Sequence, residues 1–201
     1  DVYKRQHMDP RNPDRIYAAT WQRHRTVAAL MGGGPESGLH RSEDGGETWT
    51  ELKSGLPNYA GKIGFTLSPQ KPDVLYASIE LEKRNGAVYK SEDRGSSWKK
   101  MSDLSLGYGT GPHYYQELFA SPHKFDRLYL MNVRILTSED GGKTFVELTE
   151  RSKHSDNHAI AFREDDPNYL LVGTDAGIYE SFDLAKTCLL YTSDAADDSQ
   201  C

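Results

Sequence analysis

Short apolar runs alternate with polar, turn-forming clusters along nearly the whole chain, and no stretch holds the 3.6-residue apolar spacing of an amphipathic helix. Lys62-Ile-Gly-Phe-Thr-Leu67, Tyr114-Tyr-Gln-Glu-Leu-Phe119 and Asn157-His-Ala-Ile-Ala-Phe162 have the length and composition of strands. Each precedes a turn rich in Pro, Asp and Asn, followed by an apolar-aromatic pair that opens a second strand. Pro69-Gln-Lys-Pro-Asp-Val-Leu-Tyr76 and Pro122-His-Lys-Phe-Asp-Arg-Leu-Tyr129 are such turns, as are Pro10-Arg-Asn-Pro-Asp-Arg-Ile-Tyr17 and the looser Glu164-Asp-Asp-Pro-Asn-Tyr-Leu-Leu171. Third strands are predicted at Gly38-Leu-His-Arg41, Ala87-Val-Tyr-Lys90 and Arg134-Ile-Leu-Thr137. The predicted unit is therefore an antiparallel meander of four strands.

Behind each third strand stands a box of the form Ser-x-Asp-x-Gly-x-Thr/Ser-aromatic. The copies are Ser42-Glu-Asp-Gly-Gly-Glu-Thr-Trp49, Ser91-Glu-Asp-Arg-Gly-Ser-Ser-Trp98 and Ser138-Glu-Asp-Gly-Gly-Lys-Thr-Phe145. Asp44, Asp93 and Asp140 can fasten a tight turn through nearby backbone amides, and Gly46, Gly95 and Gly142 supply positive φ. Trp49, Trp98 and Phe145 are expected to be buried at equivalent positions. Ser181-Phe-Asp183 begins a fourth box with Thr187 at its Thr position. The box serines recur at intervals of 49, 47 and 43 residues, the spacing of propeller blades.

With these boxes the chain resembles the Asp-box, or BNR, repeat proteins, which are β-propellers. The expected fold is all-β: a partial β-propeller of four-stranded antiparallel blades with Asp-box hairpins on the rim. The succession His-Tyr-Tyr, Pro-x-x-x-Asp-Arg-Leu-Tyr, the third box, His-x-Asp-x-His-Ala and Gly-x-Asp-x-Gly-Ile-Tyr-x-Ser is similar to a bacterial sortilin-like, glycosyl-hydrolase-like group.

The ends do not follow the repeat. Residues 1–6 and 188–201 resemble translated sequencing-adapter read-through and are expected to pack on nothing. That leaves residues 7–187 as the propeller piece, incomplete at both ends: a first blade without its inner strand, two whole blades, and a fourth without its outer strand. The rest of a parent propeller is then an expected partner, since each blade covers its apolar faces with its neighbours. Both cysteines, Cys188 and Cys201, lie in the excluded tail, so this piece has no disulfide framework. The chain carries a net −6; without its head (+1) and tail (−3) the propeller piece carries −4. That balance argues against nucleic acid as a partner, and no apolar run reaches the length of a membrane span.

Function is sought where the repeats differ. Trp21 to Ser37 is a long insertion carrying Trp21, Arg23, His24 and Arg25, which reads as a surface hairpin or a ligand-facing loop. Ser105 to Tyr115 alternates glycines with Tyr108, His113, Tyr114 and Tyr115, a composition suited to a ligand wall or to packing between blades. In His154-Ser-Asp-Asn-His158, an extended chain would put His154, Asp156 and His158 on one face. Such a trio can form a polar cluster, do acid-base work or hold a divalent metal. Repeat register sets Tyr114 against Asp156 and Gln116 against His158. The expected ligand site is thus His113, Tyr114, Tyr115, Gln116, His154 and His158 at the channel mouth. Asp156 is the candidate catalytic acid there, Glu117 on the neighbouring inner strand stands well behind it as a candidate, and Asp175 reads as part of a hairpin turn. No cofactor and no metal are expected.

Three functions fit these residues. The resemblance implies a secreted, periplasmic or cell-surface propeller binding peptide or glycan at its central face. The alternative is a glycoside hydrolase of the xyloglucanase-like type, which needs two carboxylates flanking the cleaved bond. The third is an assembly propeller without a small ligand.

Overall fold

A computed structural model describes residues 6–104, 116–150 and 152–187, together with the backbone of 189–192. Among the described residues there are four sheets of four antiparallel strands. The first comprises β1 (Gln6–Asp9), β2 (Asn12–Thr20), β5 (Gly38–Ser42) and β6 (Thr50–Leu52); a separate two-stranded hairpin, β3 (His24–Arg25) and β4 (Leu30–Met31), projects between β2 and β5. The second runs β7 (Ile63–Leu67), β8 (Leu75–Glu80), β9 (Gly86–Ser91) and β10 (Lys99–Leu104). The third runs β11 (Leu118–Ala120), β12 (Leu128–Leu130), β13 (Leu136–Ser138) and β14 (Val146–Glu147). The fourth runs β15 (Asn157–Phe162), β16 (Leu170–Thr174), β17 (Gly177–Ser181) and β18 (Leu189–Thr192). The predicted meander is present in every blade.

The ends depart from expectation. The first blade has a short inner strand, because His7 pairs with Tyr17 and Gln6 with Ala18. The fourth has an outer strand, because Leu189 pairs with Glu180 and Leu190 with Tyr179. An edge strand presents a row of unsatisfied N–H and C=O groups that any chain can match through its backbone. Those groups explain why 189–192 pair where the repeat pattern foresaw nothing.

Adjacent blades meet first strand to first strand: β7 touches β1 and β2 on one side and β11 on the other. The apolar layers lie between blades. Leu39 and Leu52 of the first blade pack with Phe65, Ile79, Tyr89 and Trp98 of the second. Val74 and Tyr76 join Leu118, Leu128 and Phe145 across the next seam, and Tyr129 and Ile135 join Ile160, Val172 and Tyr179 across the third.

Each box turns on its serine and aspartate. In the first, the Ser42 hydroxyl donates to Asp44 Oδ1 (2.7 Å) and accepts from the Gly46 amide (2.8 Å), while the Thr48 amide donates to Asp44 Oδ1 (2.9 Å). The hydroxyl and amide of Thr48, with help from Ser42, hold the Asp44 carboxyl down at about 2. The fourth box closes the same way through Ser181, Asp183 and Thr187. It does so without glycine, holding Leu184 and Ala185 at φ 61° and 65°, a strain of about 1 kcal/mol or more per residue. The expected burial of the box aromatics holds only in part. Trp98 is 6% exposed, Phe145 is partly buried, and Trp49 is 40% exposed. Trp98 lies against Leu52 of the blade before it, and no blade precedes Trp49 among the described residues.

Candidate functional site

Strand register separates the two ends of every blade. In the second, Lys90 pairs with Lys99 beside the box, while Gly86 pairs with Leu104 at the opposite end. The inserted hairpin, the 81–85 loop, the segments leading into β7, β11 and β15, and the β16–β17 turn all lie at the end away from the boxes. Of the residues proposed from the sequence as ligand contacts, Gln116 and His154 are on those segments and His158 is near the start of β15. His113, Tyr114 and Tyr115 lie outside the described residues.

Gln116 adopts φ 90°, donates its amide N–H to the Met131 carbonyl (2.9 Å), and accepts from the Ser78 hydroxyl on its own carbonyl (3.1 Å). The approach to the second blade is close enough that a Cβ on Gly64 would lie 1.9 Å from the Gln116 oxygen. Its side chain is buried, and neither side-chain amide atom has a hydrogen-bond partner among the described residues.

The His154–His158 segment does not run extended throughout. Asp156 sits at φ 63° with its N–H on the Val133 carbonyl (3.0 Å), and the pairing of β15 shifts register between Asn157 and Ala159. Period-two alternation therefore does not extend back to His154, and the face expected to join His154, Asp156 and His158 is broken. Asp156 accepts from the Ser155 hydroxyl (3.0 Å), and the exposed His154 ring meets the Ser155 carbonyl (2.8 Å). His158 Nε2 donates instead to Asp175 Oδ1 (2.6 Å), in the β16–β17 turn. Beneath them, the buried Asn157 amide donates to the Asn132 and Val133 carbonyls (both 3.0 Å) and accepts from Lys153. Lys153 in turn pairs with the buried Glu150 (3.2 Å).

Sequence reasoning named Glu117 but missed the cluster that it joins where the inner strands begin. The Lys62 side chain, 3% exposed, pairs across the blade seam with Glu117, 33% exposed, at 3.1 Å. The Lys62 amide donates to the Glu80 carboxylate (3.0 Å). His7 of β1 packs edge-on against Phe65 of β7, ring centroids 4.8 Å apart. Burial pushes the His7 imidazole below its usual value, opposed by the Phe65 backbone and the Glu117 charge. Lys62 reads in sequence as the polar start of a strand; only the neighbouring blade converts it into a buried cation.

A groove of about 680 Å³ opens at the same end of the second blade. Tyr59, Leu81 and Leu104 give it apolar surface, and Glu82, Asn85 and Asp103 bring polar groups to it. Asp103 also pairs with Lys100. One signal was available: residues 81–85 link β8 to β9 with five residues, where the fourth blade uses two. Nothing in the residue types alone aligned Tyr59 with that loop. Among the described residues, no helix is long and apolar enough to cross a membrane.

Neither a protein-family profile nor a curated protein sequence matches the chain. Solved structures do. The chain superposes on the Niastella koreensis GH74 enzyme with a TM-score of 0.71 and 15% identity, over 96% of this chain and 30% of that one. For the GH74 xyloglucanase from Xanthomonas campestris the values are 0.70 and 19%, over 96% and 31%. The fold is a β-propeller. A third match is the GH93 α-L-arabinofuranosidase of Fusarium graminearum in complex with arabinobiose, with a TM-score of 0.53 and 17% identity, over 92% of this chain and 63% of that one. The chain thus spans about a third of the length of the two GH74 enzymes.

Proposed function

We propose that this propeller binds a glycan on the face away from its boxes, in the groove between Tyr59 and the 81–85 loop. The groove's composition carries this reading. An exposed tyrosine ring offers a surface for the apolar face of a sugar, while Glu82, Asn85 and Asp103 supply acceptors and donors for its hydroxyls. The GH74 and GH93 propellers that share its fold at low identity are consistent with this direction. The same reading groups the chain with the Asp-box, sortilin-like propellers and puts it in a secreted, periplasmic or cell-surface setting. A second reading, glycoside hydrolysis, draws on Glu82 and Asp103 lining one groove, since that chemistry needs two carboxylates about the cleaved bond.

Calorimetric titration of the full-length protein with soluble neutral polysaccharides tests the first reading. Tyr59→Ala is expected to weaken binding by about tenfold or more, from the loss of one aromatic stacking contact, with no change in fold. Affinity that is indifferent to Tyr59→Ala, or confined to peptides, would overturn it. For hydrolysis, Glu82→Gln and Asp103→Asn should each abolish release of reducing ends while leaving binding in place. Full turnover in both variants excludes that chemistry from this groove.

A further inference from the structure

We propose that the inserted hairpin of the first blade is an anion-recognising arm beside the groove, reading the carboxylates of a uronic-acid-containing glycan. This deepens the proposed glycan binding and rests on it. The hairpin is a built element. Its tip is closed by the Thr26 amide on the Ala29 carbonyl (2.8 Å), with the Ala29 amide on the Thr26 hydroxyl (3.0 Å). Its base is tied by the Gln22 amide to the Ser37 hydroxyl (2.9 Å) and by the Trp21 indole N–H to the Gly32 carbonyl (2.9 Å). It is also docked on the groove: the Gly34 amide donates to the Ala60 carbonyl (3.2 Å), and a Cβ on Gly33 would lie 2.6 Å from the Tyr59 hydroxyl. Tyr59 therefore belongs to both the hairpin's base and the groove's wall.

Arg25 is in the hairpin's first strand, and Trp21 and Arg23 lie in the segment that leads into it. Arg25 is paired across with Leu30, and the Arg23 guanidinium sits 5.1 Å from the Trp21 ring centroid. Arg23, His24 and Arg25 are all exposed. Among the described residues, Arg11, Arg15, Arg41, Arg94, Arg127 and Arg163 each meet a carboxylate, whereas Arg23, Arg25 and Arg134 form no salt bridge. A guanidinium fork matches a carboxylate in two parallel hydrogen bonds, and an indole held beside it offers a ring for a pyranose. Carboxylates in the groove would repel an anionic sugar placed there, so the acidic residues of the ligand belong on the arm and its neutral residues in the groove.

Binding to the full-length protein is measured with a glucuronoxylan oligosaccharide, neutral except for its uronic-acid branch, with the same oligomer after carboxyl reduction, and with poly-glutamate. The acidic oligomer is expected to bind about tenfold or more tightly than its reduced form, the worth of one charge-assisted contact. Arg23→Gln with Arg25→Gln should erase that preference and leave the reduced oligomer's affinity unchanged. Arg23→Lys with Arg25→Lys should restore it only in part, because an ammonium lacks the fork. A preference that survives the double glutamine variant, or poly-glutamate binding as tightly as the unreduced oligomer, overturns the arm. If the reduced oligomer binds in a Tyr59-dependent way and no acidic preference exists, the arm fails and the groove stands. If neither oligomer nor any neutral glycan binds, both fall.

Discussion

Trp98 and Trp49 occupy the same place in successive boxes and make the same bond, each donating its indole N–H to the carbonyl three residues before it at 3.0 Å. They differ in what covers them. Trp98 is 6% exposed and Trp49 is 40% exposed. Replacing each by alanine removes the same hydrogen bond, so that contribution cancels between the two variants. A buried Trp carries about 250 Å² of side-chain surface, so the burial difference is roughly 85 Å², worth about 2 kcal/mol at ~25 cal/mol per Å². Trp98→Ala additionally leaves a cavity against Leu52, so its total cost should be about 4 kcal/mol or more; Trp49→Ala should cost about 2. Urea denaturation of the 201-residue chain reads this directly. With an m-value of about 2 kcal/mol/M, the midpoint should fall by about 2 M for Trp98→Ala and about 1 M for Trp49→Ala. Equal shifts would show that the box tryptophans act through their local bond and not through the seam between blades.

Lys153→Met should cost about 3–5 kcal/mol, because it strands the Glu150 carboxylate, whose side chain is 1% exposed, without its counter-charge. Adding Glu150→Leu should recover much of that loss; a single variant whose midpoint barely moves would contradict the buried pair. For His7, the folded imidazole sits below its ordinary value of 6.5, so the neutral ring is favoured in the folded state. Its contribution is complete above 6.5 and is lost as pH falls from there through the folded value. His7→Phe should accordingly flatten stability against pH between about 7 and 5, and an unchanged slope in that variant would remove His7 from the account.

The meander, its blade spacing and its boxes were legible in sequence because each rests on local chemistry. Pro turns, period-two strands and a Ser–Asp pair binding amides two to four residues away all act within a span the eye can follow along the chain. The fourth box was legible in the same way, through Ser181, Asp183 and Thr187, even though Ala185 stands where the pattern has glycine. Burial of the aromatics was not, since Trp49 and Trp98 differ only in whether another blade lies against them. The site divided along the same line. Sequence located the end of the blade that bears the departures from the repeat, and with it Gln116, His158 and the inserted hairpin. It could not show that Asp156 turns out of the strand, that His158 meets Asp175 in a turn 17 residues on, or that Lys62 reaches Glu117 across a seam. Nor could it bring Tyr59, the 81–85 loop and the end of β10 to one groove. Those contacts join segments of different strands or blades, and their partners are set by how sheets stack around a common axis, a quantity that no local pattern of residues encodes.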